Sequence, residues 1–369
     1  MTAVDNGHTH LRGPVLVIGT GLLGASIGLG LRRWGIDTVL SDPSPSAEAV
    51  ARDIGAGRLL RDAEPGFAPE LVVSAAPPDV TADVVAGALT DYPAAVVVDI
   101  ASVKASVAAD LATSGADLSR YVGTHPMAGR EKTGPVAARA ELFTSMPWVL
   151  CAPEAATGTA VKTAQALALD LGAVVSRMSV EEHDQTVAMI SHLPQVVSSL
   201  VASRLQSTAP QALSLSGQGL RDVTRIAASD PSMWVQILGA NASRVVDILY
   251  GVREDLNRLI NTLEHPRADG ARLDLAQLMS EGNAGQARIP GKHGAPPKAF
   301  AELTVLVDDI PGQIAKLLTE IGTIGVNLED LRLDHSPGQP VGLAEISVVP
   351  NRRTELIEAL TERGWKVVS

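Results

Sequence analysis

From residue 12 to 178, short apolar runs alternate with stretches of helical spacing. The runs fall at 14–18, 37–41, 71–75, 95–99, 120–124, 147–151 and 173–176, with helical stretches such as 45–53, 78–89 and 103–112 between them. Short apolar runs spaced by helical segments read as buried strands joined by crossover helices. The pattern predicts a doubly wound α/β sheet, in which ligands bind beyond the carboxyl ends of the strands. The tips to watch are 19–24, 42–46, 74–78, 99–104 and 124–132. From 179 to 282 the strand signal vanishes. Residues 182–206 read as a helix, and 232–264 as one long amphipathic helix whose apolar positions, from 234 to 263, keep close to a 3.6 period. So broad an apolar face needs more partners than this block offers, which predicts homodimerisation. Residues 281–298 are rich in Gly, Pro, Ala and charge and read as a linker. Beyond it, strands at 299–307, 328–335, 341–349 and 365–368 and helices at 311–322 and 352–363 give the order βαββαβ, a ferredoxin-like unit. The expected domains are 12–178, 179–282 and 299–369, with the linker at 283–298.

The totals narrow the class. The chain has 369 residues, too many for one ordinary core. A net charge of −11 argues against nucleic acid and anionic membranes as main partners. A single cysteine, Cys151, excludes an intramolecular disulfide and a cysteine-rich metal site, and fits a reducing cytoplasm. Residues 1–12 lack a basic end followed by an apolar core, so no signal peptide is expected. No apolar run approaches the roughly 20 residues a membrane helix needs. No His, Asp, Glu or Cys set has metal-site spacing, so no metal is expected.

The first tip carries the most specific chemistry. Gly19-Thr20-Gly21-Leu22-Leu23-Gly24 follows an apolar run and opens a helix, and the next run ends at Ser41-Asp42. In this order the glycines permit a tight turn, close approach of a pyrophosphate and close helix–strand packing. The helix N-terminus, at Leu22 and Leu23, offers free N–H groups and partial positive charge to phosphate. Asp42 is placed to accept from ribose hydroxyls and to repel a 2′-phosphate. No basic residue follows it until Arg52, which favours NAD over NADP.

Other tips supply groups for that cofactor to work with. His125 follows a strand and precedes Pro126; a neutral imidazole there accepts a hydroxyl proton as hydride leaves the same carbon. Ser102 at the neighbouring tip reads as the cap of the helix at 103–112 and, compatibly, as a hydrogen-bond partner that holds the imidazole or the hydroxyl in line. In the helical block, Pro194 interrupts a helical run within Ser191-His192-Leu193-Pro194-Gln195 and kinks it. His183, beside Glu181, Glu182 and Asp184, reads as part of a charged helix start. Arg225 suits a substrate carboxylate, because a guanidinium binds it bidentately, and Arg221 lies four residues before it. Ser229-Asp230-Pro231 marks a helix start, and Trp234 in its first turn is either core or cleft wall.

The glycine turn, Asp-x-x-Ser-Val-Lys at 99–104, His-Pro-Met-Ala-Gly at 125–129, Ser-His-Leu-Pro at 191–194 and Thr-Arg-Ile-Ala-x-Ser-Asp-Pro-x-Met-Trp at 224–234 together resemble the prephenate/arogenate dehydrogenases of tyrosine biosynthesis. The resemblance covers about 13–265. It implies NAD-dependent oxidative decarboxylation of prephenate to 4-hydroxyphenylpyruvate, with arogenate as the alternative substrate. It implies that His125 accepts the hydroxyl proton and that Ser102 orients hydroxyl and nicotinamide. Arg225 and the 191–195 segment (Ser191, His192, Gln195) would hold carboxylates, with Trp234 beside them. Gln195 stands where many prephenate-using relatives carry a histidine, and that departure opens arogenate. Residues 299–369 resemble an ACT domain, on Val307-Asp308-Asp309-Ile310-Pro311-Gly312 and Gly325-Val326-Asn327-Leu328-Glu329-Asp330. This implies an amino-acid effector, tyrosine by pathway logic, held near Asp309, Pro311, Gly312 and Asn327.

Overall fold

The computed structural model describes residues 9–129, 134–290, 300–335 and 341–368. These fall into two compact units, Met1–Arg253 and Glu254–Ser369. The first unit is built on an eight-stranded sheet. Its strands are β1 (Val15–Ile18), β2 (Thr38–Ser41), β3 (Arg58–Leu59), β4 (Leu71–Ser74), β5 (Val96–Asp99), β6 (Tyr121–Pro126), β7 (Pro147–Cys151) and β8 (Val174–Arg177). Their spatial order is β3-β2-β1-β4-β5-β6-β7-β8. The chain reverses direction across the sheet between β1 and β4, the switch point where such sheets bind nucleotides. All seven apolar runs are strands. The short edge strand β3 has no apolar run to announce it, and β7 pairs antiparallel with β6 rather than through a helical crossover.

Helices cover both faces and produce two apolar layers. Ile27, Leu31, Val15, Val17, Val73, Phe143, Trp148 and Leu167 fill one, and Leu16, Val72, Val85, Val97, Leu111 and Tyr121 the other. With aromatics scarce, small side chains let the layers approach closely. At Gly28 a Cβ would come 2.3 Å from the Ala56 carbonyl oxygen.

After the sheet the chain is helical. Ser179 and Glu182 cap the helix Val180–Val187 reciprocally, each side chain bonding the other's backbone N–H. A π-helical turn, Ala188–His192, then leads into Leu193–Arg204, with Pro194 in its first turn. The proline lacks an N–H and would crowd the carbonyl four residues back; the wider turn takes up both problems. The expected kink is thus a π turn. The run Val180–Ser207 is long and apolar enough, by length and composition, to cross a membrane, which the sequence reading missed. It carries buried His183, Asp184, His192, Gln195 and Ser198.

The expected helix 232–264 is two helices, Pro231–Ala240 and Ala242–Glu264, broken at Asn241. Asn241 is buried and turns its amide onto the Asp184 carbonyl oxygen at 2.8 Å. A helix Ala271–Gln286 extends into the expected linker, of which 291–298 lie outside the described residues.

In the second unit, β9 (Ala301–Asp308), β10 (Asp330–His335), β11 (Val341–Val348) and β12 (Lys366–Val368) form an antiparallel sheet in the order β10-β11-β9-β12. Helices Gln313–Ile324 and Arg353–Glu362 complete the βαββαβ order. Leu303, Val305, Leu317, Ile321, Ala344, Ile346 and Leu356 form its core. This is the expected ferredoxin-like unit, a form compatible with an ACT domain.

Candidate active site

The strand register brings the chemistry to one edge. Ile18 pairs with Ser74, Ser74 with Asp99 and Asp99 with Gly123. The glycine turn begins one residue past Ile18, Ser102 lies three past Asp99 and His125 two past Gly123. Three strand spacings, about 14 Å, separate β1 from β6.

The glycines divide by function. Gly19 has φ +101°, and a Cβ there would lie 2.5 Å from the Ala75 carbonyl oxygen. A Cβ at Gly24 would lie 1.9 Å from the Gly19 carbonyl oxygen. Both are therefore demanded by the chain itself. Gly21 is not: its φ is −65° and a Cβ there meets nothing within 4 Å. Open space before the uncapped N-terminus of the helix Leu22–Arg33, where Leu22 and Leu23 present their N–H groups, fits a pyrophosphate. Asp42 accepts from the Thr20 backbone N–H at 2.6 Å, the Thr20 hydroxyl at 2.9 Å and the Ser44 N–H at 2.8 Å. Those bonds fix the carboxylate at the turn and leave acceptor capacity on Oδ1 for a ribose hydroxyl.

Behind the β5 and β6 tips lies a buried polar pillar. The Asp99 carboxylate accepts from the Lys104 ammonium, the Tyr121 hydroxyl at 2.6 Å and the Ala101 N–H at 2.8 Å. Such a pair costs desolvation, and its satisfied bonds fix the 99–104 loop that carries half-buried Ser102. Gly123 leaves room for it, since a Cβ would come 3.1 Å from the Tyr121 hydroxyl. Burial, with the Asp99 charge and hydrogen bond, holds the Tyr121 phenol well above its ordinary value. Burial likewise pushes the Cys151 thiol up to about 12, so this cysteine is no nucleophile.

Ser102 does not cap the following helix. That helix is Ala105–Ser114, and its first N–H groups are bonded by Asp184 from the helical block, at 2.9 Å to Lys104 N and 2.8 Å to Ala105 N. His183 is no exposed helix start either. It is fully buried, with Nδ1 2.7 Å from Asp184 Oδ1 and Nε2 2.8 Å from His125 Nδ1. The sequence offered one signal for this pair. The Ser179/Glu182 capping box already accounts for the helix start, which leaves His183 and Asp184 without a local purpose.

His125 is part-buried, and burial, then electrostatic coupling to His183, Lys104 and His192, holds it well below the ordinary histidine value. His192 is buried at 1% exposure, with Nδ1 3.2 Å from the Asn241 amide and its ring edge-on to Trp234 at 5.9 Å. Burial lowers it to about 4, against a smaller raising effect of Asp184. It is therefore neutral at pH 7 and supplies no cation for a carboxylate. Gln195 is buried, accepting from the Ser229 hydroxyl and donating to Ser199, both at 3.4 Å. Ser191 is half-buried in the π turn. Arg225 is exposed and begins a 3-10 turn, Arg225–Ala228, so Arg221 and Arg225 do not share one α-helical face. Among the described residues no group of three or more His, Cys, Asp and Glu side chains is placed to hold a metal.

In the second unit Asp309, Pro311, Gly312 and Asn327 are all exposed. The first three follow β9, whereas Asn327 precedes β10, whose Asp330 pairs with Ser347 beside Glu302 near the start of β9. They occupy opposite ends of the sheet. The Asn327 end carries an open cleft of about 720 Å³ lined by Phe300, Glu302, Glu329 and Arg332 among others.

A glycine turn fitted to pyrophosphate, an acid at the β2 tip and a histidine paired with a second, buried histidine along the same edge define a dinucleotide-dependent dehydrogenase with a helical second domain. The comparisons narrow the class. The chain matches the nucleotide-binding domain of prephenate dehydrogenase over residues 27–177 and the dimerization domain over 179–281. A probable prephenate dehydrogenase of Streptomyces niveus is 35% identical over 357 residues, 95% of this chain and 98% of the relative. A cyclohexadienyl dehydrogenase of Zymomonas mobilis is 31% identical over 273 residues, 66% of this chain and 86% of the relative. The crystal structure of prephenate dehydrogenase from A. aeolicus in complex with hydroxyphenyl propionate and NAD+ covers 74% of this chain and 97% of its own, at 28% identity and a TM-score of 0.65. The chain belongs to the prephenate dehydrogenase family.

Proposed function

We propose that this chain catalyses the NAD-dependent oxidative decarboxylation of prephenate to 4-hydroxyphenylpyruvate. The observation that carries this reading is His125 on the same sheet edge as the glycine turn, in a chain of this family. NAD+ supplies the hydride acceptor. Gly21 and the helix N-terminus hold its pyrophosphate, and Asp42 its adenosine ribose. His125 accepts the proton of the ring hydroxyl while the hydride leaves the same carbon, so that carbon and its oxygen become a carbonyl. Ser102 orients the hydroxyl. The bond from the ring to its carboxylate then breaks and carbon dioxide leaves. The released electron pair runs through the ring to the former carbonyl oxygen, which recovers a proton from His125 as the ring becomes aromatic. Arg225, with Ser191, His192 and Gln195, holds the substrate carboxylates, and Trp234 walls the cleft.

Arogenate is the second reading. Neutral His192 and Gln195 supply no positive charge at the 191–195 segment, which suits a side chain bearing its own ammonium. Initial rates of NAD+ reduction with prephenate and with arogenate separate the two, and failure with both rejects the dehydrogenase reading. The domains we assign are 12–178, 179–282 and 299–369. The last is read as an ACT domain that takes tyrosine as effector, the enzyme as a homodimer, and its setting as cytoplasmic. Inhibition by tyrosine that survives removal of residues 299–369 would place the effector at the catalytic site instead.

A further inference from the structure

Two buried groups that the proposed reaction does not by itself require, His183 and Asp184, stand in line behind part-buried His125. Their two contacts, 2.8 Å and 2.7 Å, are hydrogen-bond distances. The protons on that line follow by elimination. Burial works against the Asp184 charge, but bonds from His183, Ala105 and Lys104 outweigh it and hold the carboxyl below its ordinary value. An ionised carboxylate only accepts, so His183 Nδ1 carries the hydrogen between them. In a neutral ring the other nitrogen, His183 Nε2, is then a lone pair. It faces His125 Nδ1, which must donate to it. The remaining nitrogen, His125 Nε2, is left as the lone pair a general base needs. A cation on His183 would reverse the second bond and put a hydrogen on His125 Nε2. Asp184 has other donors and positive charge beside it: two backbone N–H groups bond it, and Arg244 lies 4.0 Å from Oδ2.

We propose that Asp184 and His183 fix the tautomer and orientation of His125, which makes His183 a positioning residue for proton transfer. The proposal rests on the dehydrogenase reading for its kinetic consequences, but not for its protons. As His125 takes up the hydroxyl proton, its Nδ1–H stays bonded to His183, and Asp184 stabilises the charge through that ring. An acid that holds the base's tautomer is the logic of the Ser-His-Asp triad, here with an imidazole interposed. Asp184 also bonds the first N–H groups of the helix after Ser102, so one carboxylate aligns base and serine together.

The test uses the full chain. Nitrogen-15 spectra of the histidine rings, assigned by the signals lost in His183→Gln and His125→Asn, are expected to show hydrogen on Nδ1 of both rings at mildly alkaline pH. Hydrogen on Nε2 of either ring overturns the proposal, whatever the substrate. Once wild-type protein is shown to reduce NAD+, His183→Gln and Asp184→Asn are expected to lower kcat at least about tenfold, with KM for substrate and NAD+ changed less than about threefold. Wild-type kcat in His183→Gln rejects the positioning role and leaves the functional reading standing. Wild-type protein that reduces no NAD+ rejects that reading, and the ring spectra still decide the inference. Should Asp184→Asn fail to fold for want of its helix-capping bonds, His183→Gln, which keeps them, carries the kinetic decision.

Discussion

His125 shows how a residue's chemistry is set by what encloses it. Burial and neighbouring charge keep the ring neutral below the pH at which an exposed histidine takes up a proton. The acidic limb of kcat/KM should therefore fall below pH 6.5, and a pH profile of NAD+ reduction checks it. His125→Asn should lower kcat at least about a hundredfold with a smaller effect on KM; near-normal turnover would remove it as the base. The same depressed values act on stability. A histidine that binds its proton less readily folded than unfolded costs stability as pH falls. For His192 the loss runs from 6.5, its ordinary value, down to about 4, and His125 acts in the same direction. Asp184 adds a further loss below 3.8, where the unfolded chain takes up a proton that the folded carboxylate resists. The urea midpoint should drop across the pH window from 6.5 to 4, and a flat midpoint would contradict these shifts. The places of His125 and Ser102 at strand tips were legible in the sequence because apolar runs end there. His183 and Asp184 were not, because their partners lie 58 and 80 residues away and no local pattern records such a meeting.

At the scale of elements, most strands of the large sheet were readable because they are continuous apolar runs, and so was the helix start at Asp230-Pro231, but breaks and caps set by distant contacts were not. Asn241 breaks the long helix for a tertiary reason, the Asp184 carbonyl, which periodicity around it does not see. Ser102 lost its expected capping role because Asp184 bonds those N–H groups from another element. The glycine turn allows a sharper experiment. Gly24→Ala forces a Cβ to within 1.9 Å of a backbone oxygen and should lower the melting temperature or prevent folding. Gly21→Ala enters open space at φ −65°, so the fold should melt as wild type. Its KM for NAD+ should nevertheless rise about tenfold, since the methyl occupies the space through which the pyrophosphate approaches. Unchanged NAD+ binding in Gly21→Ala would remove the pyrophosphate from that turn.

For the whole molecule, the helix Ala242–Glu264 raises the question of what covers it. Its period was plain in the sequence, but the sequence alone does not say which part of an apolar face the chain itself buries. The structure does: Tyr250, Leu256, Ile260 and Leu263 remain 51%, 52%, 45% and 56% exposed. Burying a leucine or isoleucine is worth about 1.5–3 kcal/mol, so a stripe of them is costly to leave in water. The stripe lies within the segment that matches the family's dimerization domain. A second copy of this helix fits the need, since a two-fold interface places the same face on both sides. Leu256→Glu with Ile260→Glu would put like charges at the centre of that face in both copies. The double variant should sediment as a monomer where wild type sediments as a dimer, with the ferredoxin-like core unaffected. Wild-type and variant chains that sediment alike would show that this stripe is not the interface.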